Sequence, residues 1–267
     1  MVKQKNGILI IKKKKYYNIK LEKHKDKIDK GKFGTVYKRK EKDKENVYAE
    51  KKVKKKYGIE LELETLLIFK NKTNIVNIID FKESKNYYCI LMEYCECNLK
   101  DYLKEKTFGP QTVDPQTVDP QTVDPQTVDK KPLDIKIIQN IMIQIINGCS
   151  LLYSNDYKHY DLKLNNILVK KNKDDKNLII KISDFGFAES SKIGLIHNNL
   201  FGTKAYMSPE IMEKKNYSTK ADIYSIGIIA YQLALKKPFD ENGHLNFPFK
   251  IINNDKQFLE EKKKYRF

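Results

Sequence analysis

The chain has 267 residues, 40% of them hydrophobic, with 52 Lys+Arg against 35 Asp+Glu, a formal charge of +17, four Cys and no Trp. That apolar content supports a buried core and excludes wholesale disorder, and the length suits one large domain or two lobes around a cleft. The charge points first to nucleic acid or an acidic membrane. However, 22 Lys+Arg and 8 Asp+Glu lie within residues 1–60, and only Arg39 and Arg266 carry the guanidinium suited to bidentate phosphate and base contacts, so no specific nucleic-acid surface is expected.

Residues 1–16 read as a basic extension. The apolar run Gly7 to Ile11 is too short for a signal-peptide core and is followed by Lys12 to Lys15. One such cluster without a lipid site gives only marginal membrane binding, and no run approaches a membrane-spanning length, so no membrane span is expected. Gly34 to Tyr37 and Asn46 to Val53 flank the charged turn Glu41 to Glu45, which predicts a hairpin. A helical period covers residues 59–70, and Tyr87 to Glu93 reads as a strand.

Cys89, Cys95, Cys97 and Cys149 are too few and too irregular for a disulfide framework, which points to a reducing, intracellular compartment: the cytoplasm, with the nucleus as an alternative. Cys95-Glu96-Cys97 has no second Cys or His pair at ligand spacing and reads as unliganded thiols. Residues 110–129 repeat PQTVD four times, with Pro110, Pro115, Pro120 and Pro125 in strict period. Proline at that spacing prevents helix and sheet, so the segment is expected to be a disordered or extended surface loop, tolerable because closure entropy grows slowly with length. Beyond it, Ile138, Ile141, Met142, Ile145, Cys149 and Leu152 make one apolar helix face, and Ile223 to Leu235 is apolar nearly all round, as in a helix buried in a domain centre. The sum is an α+β chain, a small β-rich lobe followed by a larger α-rich one.

Several short motifs carry chemistry. Gly31-Lys32-Phe33-Gly34-Thr35-Val36 lies between strands, where glycines let a backbone turn approach phosphates. On the next strand, alternation turns Val47, Ala49 and Lys51 to one face, leaving room for a base beside a cation. Further on, His159-Tyr160-Asp161-Leu162-Lys163-Leu164-Asn165-Asn166 places a carboxylate, an ammonium and a carboxamide in fixed order, and Asp184-Phe185-Gly186 follows. Phosphoryl transfer needs a carboxylate for the attacking hydroxyl, a cation near the γ-phosphate and oxygen ligands for magnesium. Singly each residue reads as well as a turn or surface residue; the ordered set is far more specific.

From about Tyr17 onward the chain resembles the eukaryotic protein kinases of serine/threonine type, on GKFGTV, AEKK, HYDLKLNN, DFG, Ser208-Pro209-Glu210 and Asp222 to Gly227, in the family's order. The resemblance implies a bilobal kinase-like fold over 17–267, with an N-lobe of about 17–92 and a C-lobe of about 96–267. It implies ATP and magnesium as cofactors and a protein with a Ser/Thr acceptor as partner; a monomer is expected. Asp161 would then be the base and Lys163 would steady the γ-phosphate. Asn166 and Asp184 would hold magnesium, and Lys51 would bind the α- and β-phosphates. Ile28, Gly31, Gly34, Val36 and Ala49 would roof the nucleotide, with Leu168 below, Met92 as gatekeeper and Glu93 to Cys95 as hinge. Among Glu60, Glu62 and Glu64, the choice for the helix partner of Lys51 is Glu62, which shares a face with Leu66 and Phe69. Thr203 would bond Asp161 and Lys163, Glu210 would pair with a late arginine, and His159, Phe185 and Asp222 would be structural.

The chain also departs from the family. Tyr160 replaces the arginine beside the base, so activity is not expected to depend on phosphate at Ser190 or Ser191. Asp29 replaces the first loop glycine and stands either near the phosphates or outward in a turn. Glu50 occupies an apolar position and is expected outward on its strand. The only late arginine is Arg266, and the 28 residues after Phe239 are too few for all the closing helices, so the C-lobe is expected to be truncated.

Overall fold

The computed structural model describes residues 2–5, 8–11, 17–31, 34–57, 59–108, 132–171, 178–190, 202–214, 218–240, 242–250 and 254–264. The PQTVD repeat, Lys12 to Lys15, Lys32, Phe33, Ser191 and Arg266 lie outside them. Strands β1 (Val2–Lys5) and β2 (Ile8–Ile11) pair with each other. The small lobe is built on β3 (Asp26–Lys30), β4 (Gly34–Lys40), β5 (Val47–Lys54), β6 (Ile78–Glu83) and β7 (Tyr87–Glu93), an antiparallel sheet in the order β3-β4-β5-β7-β6. The predicted hairpin is β4–β5, with Val36 opposite Lys51, and Ala49 in turn faces Met92 on β7. Helix α1 (Glu60–Ile68) lies against this sheet and buries Leu63, Leu66 and, just beyond its end, Phe69.

Alternation along β5 puts Glu50 on the face away from Lys51, as the sequence pattern requires, but that face is not solvated. Glu50 is 3% exposed, accepts from Tyr17 Oη at 2.8 Å and pairs with Arg39 and, at 3.6 Å, with Lys82. Glu50 is thus turned away from the cleft, yet buried. The segment before β3 folds back over the sheet and places the Tyr17 phenol there, and β4 contributes the Arg39 guanidinium. Burial works against its ionisation, yet Tyr17 and Arg39 together hold its carboxyl below the usual range.

The larger part contains β8 (Cys97–Asn98), α2 (Leu99–Phe108), α3 (Ile135–Tyr153), β9 (Tyr157–Lys158), β10 (Ile167–Lys170), β11 (Ile179–Ile182), β12 (Glu189–Ser190), α4 (Pro209–Met212), α5 (Thr219–Ala234) and α6 (Asp255–Lys263). Strands β11-β10-β8 form one small sheet, and β12 pairs with β9. Asp134 caps α3 by accepting from Lys136 N at 2.7 Å, and Ser218 caps α5 in the same way. Helix α3 is long and apolar enough to cross a bilayer by length and composition, although no unbroken apolar run in it approaches a membrane-spanning length. Here it turns Ile141, Ile145, Cys149 and Leu152 into the core against α5 and β11. Gly148 permits that approach: a Cβ there would lie 2.7 Å from Ile182 Cδ1 and 2.9 Å from Asn74 O.

One hydrophobic cluster runs through both lobes, from Val53 and Leu66 to Ile228 and Leu233. The lobes join at Asn74–Val76. Ile182 N donates to Asn74 O at 2.8 Å, Val76 N donates to Ile182 O at 2.9 Å, and Asn74 Nδ2 reaches Ile180 O and Gln144 Oε1, each at 2.9 Å.

Candidate active site

A cleft of about 240 Å³ opens between the sheet and the larger lobe. Ile28, Gly31, Gly34, Val36 and Ala49 line its roof, Met92, Glu93 and Cys95 its back, and Leu168 its floor. Asp29 lines it too, from the end of β3, and its Oδ1 accepts from Lys30 N at 2.7 Å, so that carboxylate is partly engaged by the next residue's amide. Glu93 is fixed by Lys181 at 3.0 Å, Lys170 at 3.2 Å and the amide of Asn77. Burial pushes the thiols of Cys95 and Cys97 up to about 12 and about 11.

Lys51 enters from β5 and is only 11% exposed. Its Nζ donates to both Glu62 oxygens, at 2.6 and 2.8 Å, and to Asp184 Oδ1 at 2.7 Å. Burial acts to lower the ammonium, but the two carboxylates outweigh it and raise its pKa. Burial raises the Glu62 carboxyl, while the Lys51 ammonium, again against burial, holds Asp184 below its ordinary value. Of the three candidate glutamates, Glu62 is the one that faces Lys51. Glu60 instead accepts from the Ile59 amide at the start of α1.

The second cluster sits on the loop after β9. Asp161 is buried, its Oδ1 accepts from Thr203 Oγ1 at 2.8 Å, and its Oδ2 accepts from Lys163 Nζ at 2.7 Å and Asn166 Nδ2 at 3.0 Å. Lys163 also donates to Thr203 Oγ1 at 2.8 Å, so the three side chains close a ring. The loop owes its shape to Asp222, in the first turn of α5, which accepts from the backbone amides of His159 and Tyr160, each at 2.8 Å. His159 Nε2 lies 3.0 Å from Ser183 O, and its ring packs on Phe185 at 5.1 Å. Gly202, at φ +95°, passes so close that a Cβ would meet Tyr160 O at 2.4 Å. Tyr160 itself takes φ +61° and packs beside Met207, Ile211 and Ala221.

Asn166 and Asp184 both line the cleft, and Asp184 remains 39% exposed. A carboxamide and a carboxylate lining one cleft are oxygen donors of the kind magnesium takes, so these residues fit that ion. Glu210 begins α4, and the late cation beside it among the described residues is Lys262 of α6, whose charge it supports. That lysine carried no signal in the sequence, because a lysine among lysines reads as surface.

The protein kinase domain model matches residues 23–265. Among curated proteins, the serine/threonine-protein kinase ATG1b of Arabidopsis thaliana is 29% identical over 76% of this chain. Calcium-dependent protein kinase 6 of Plasmodium berghei is 35% identical over 79%, and the serine/threonine-protein kinase ULK1 of Homo sapiens is 31% identical over 82%. The matches cover 25%, 13% and 20% of those relatives' own lengths. A five-stranded lobe over a helical one, a nucleotide-sized cleft between them and these sequence matches agree: the chain belongs to the protein kinase family, serine/threonine type, whose members use ATP and magnesium.

Proposed function

We propose that this chain is an active kinase that transfers the γ-phosphate of ATP to Ser or Thr hydroxyls of protein substrates, acting as a cytoplasmic monomer. The observation that carries the reading is the ring of Asp161, Lys163 and Thr203, with Asn166 as a further donor to Asp161. Three donors fix the Asp161 carboxylate, so it can orient an incoming hydroxyl and accept its proton as the new O–P bond forms and the bond to the ADP oxygen breaks. Lys163 supplies positive charge beside that carboxylate, and Lys51, steadied by Glu62, supplies it on the roof side of the cleft. Asn166 and Asp184 would hold magnesium, which when bound neutralises phosphate charge. The unpolar seat of Tyr160 supports activity without phosphate on the Ser190–Ser191 segment.

A second reading, a pseudokinase that binds nucleotide and acts as a scaffold, is favoured by Tyr160 in the arginine position and by Asp29 at the cleft. The experiment uses labelled ATP, magnesium and a generic basic protein, with Asp161→Asn alongside. Wild-type transfer that falls about 10²–10⁴-fold in Asp161→Asn supports the kinase, and phosphatase treatment should leave the wild-type rate unchanged. Nucleotide binding without transfer supports the pseudokinase.

A further inference from the structure

Lys262 is the one lysine among the described residues that is fully buried. Its Nζ donates to Lys204 O at 2.7 Å and to Met207 O. The rings of Tyr224, Phe249 and Phe258 surround it, with centroids 5.4, 5.2 and 5.1 Å away. The two carbonyls belong to the turn that starts at Thr203, where Tyr206 N and Met207 N donate to Thr203 O at 2.8 and 3.2 Å. Thr203 is also the residue bonded to Asp161 and Lys163. Two further ion pairs join α6 to the same region, Lys204 with Asp255 and Lys263 with Glu213, each at 2.7 Å.

A methionine would fill the aromatic cage without desolvating a charge, so packing alone gives no reason for an amine here. What the amine adds is two N–H donors directed at two carbonyls of one turn. Aromatic faces tolerate a cation, and Glu210 offsets part of the burial that depresses it. We propose that Lys262 is a positioning residue for the acceptor segment: from α6 it fixes the Thr203–Met207 turn, and through Thr203 the alignment of the acceptor hydroxyl with Asp161. Ser225 of α5, donating to Tyr206 O at 2.8 Å, holds the middle of the same turn.

The catalytic consequence rests on the kinase reading; the structural one does not. The test compares full-length wild type with Lys262→Met, which keeps the cage filled. Amide hydrogen exchange across residues 202–208 should quicken about tenfold in the variant, as expected for loss of two side-chain bonds to one turn, while residues 49–54 and 157–159 exchange as before. With a generic acceptor, KM for the acceptor should rise about tenfold while KM for ATP stays within about twofold. Unchanged exchange at 202–208, equal acceleration everywhere, or an unaltered acceptor KM in a transferring enzyme would each overturn the proposal. If wild type transfers no phosphate but the exchange difference is present, the kinase reading fails and the positioning role stands.

Discussion

Glu50 shows how much one side chain can conceal. Its neighbours along β5 are legible, since alternation puts Ala49 and Lys51 toward the cleft and in opposition to Met92 and Ile90. What covers its own face is not, because Tyr17 and Arg39 reach it from a preceding segment and an adjacent strand. Glu50→Ala should destabilise the domain by about 3–5 kcal/mol, since Arg39 would be left buried without its carboxylate. Urea midpoints with an unchanged m-value measure this, and a change below about 1 kcal/mol would mean that the Arg39 pair is solvated in solution. Similar reasoning separates the easy and hard parts of the cleft. Asp161, Lys163, Asn166 and Asp184 lie in two short motifs whose internal spacing constrains them, so their meeting could be anticipated. Glu62 could be chosen from three glutamates only because Leu66 and Phe69 share its face. Lys262 sits outside any motif, and its inward direction depends on three aromatic rings contributed by α5, α6 and the loop between them.

Among the elements, those with a strong apolar period were readable: the β4–β5 hairpin, β7, α1, α3 and α5. Strand β3 was legible only through the glycine turn that follows it, since Asp26–Lys30 is exposed throughout and forms by pairing with β4. Helix α6 was not legible, because only Phe258 and Lys262 of its nine residues are buried. Helix α3 was readable as a helix but not for its glycine. On propensity, Gly148→Ala should stabilise a helix by about 1 kcal/mol. The contact geometry reverses that sign, since the new methyl would press on the Ile182 side chain and on the backbone oxygen of Asn74. Overpacking of this kind costs about 1–3 kcal/mol, so Gly148→Ala should lower the thermal midpoint by a few degrees. A raised midpoint in differential scanning calorimetry would show that α3 can withdraw from β11 at little cost.

For the whole molecule, the large positive charge is a poor guide to function, whereas one interior charge should shape its stability. Burial lowers the Lys262 ammonium to about 7, with Glu210 of α4 pulling the other way and the Tyr224 phenol of α5 facing it. The unfolded chain holds that proton to its ordinary value of 10.5. Between pH 7 and 10 the unfolded state therefore binds more protons than the folded one, and stability rises with pH across that window. The difference in unfolding free energy between wild type and Lys262→Met should shift in favour of wild type by about 2–3 kcal/mol from pH 7 to 9. A difference that is flat with pH would place the amine in contact with water.

The joint at Asn74–Val76 has a mechanical meaning. Two backbone bonds to Ile182 and a side-chain amide shared between α3 and β11 resist any sliding of one lobe past the other, and a joint of only three residues leaves rotation about it as the softer motion. The small lobe is thus a lid on a pinned axle. Asp184 stands two residues from the pin, at the short end of the lever, and the turn at Gly31–Gly34 is at the long end. A small roll therefore swings the roof widely over the phosphates and leaves the carboxylate that faces them almost still.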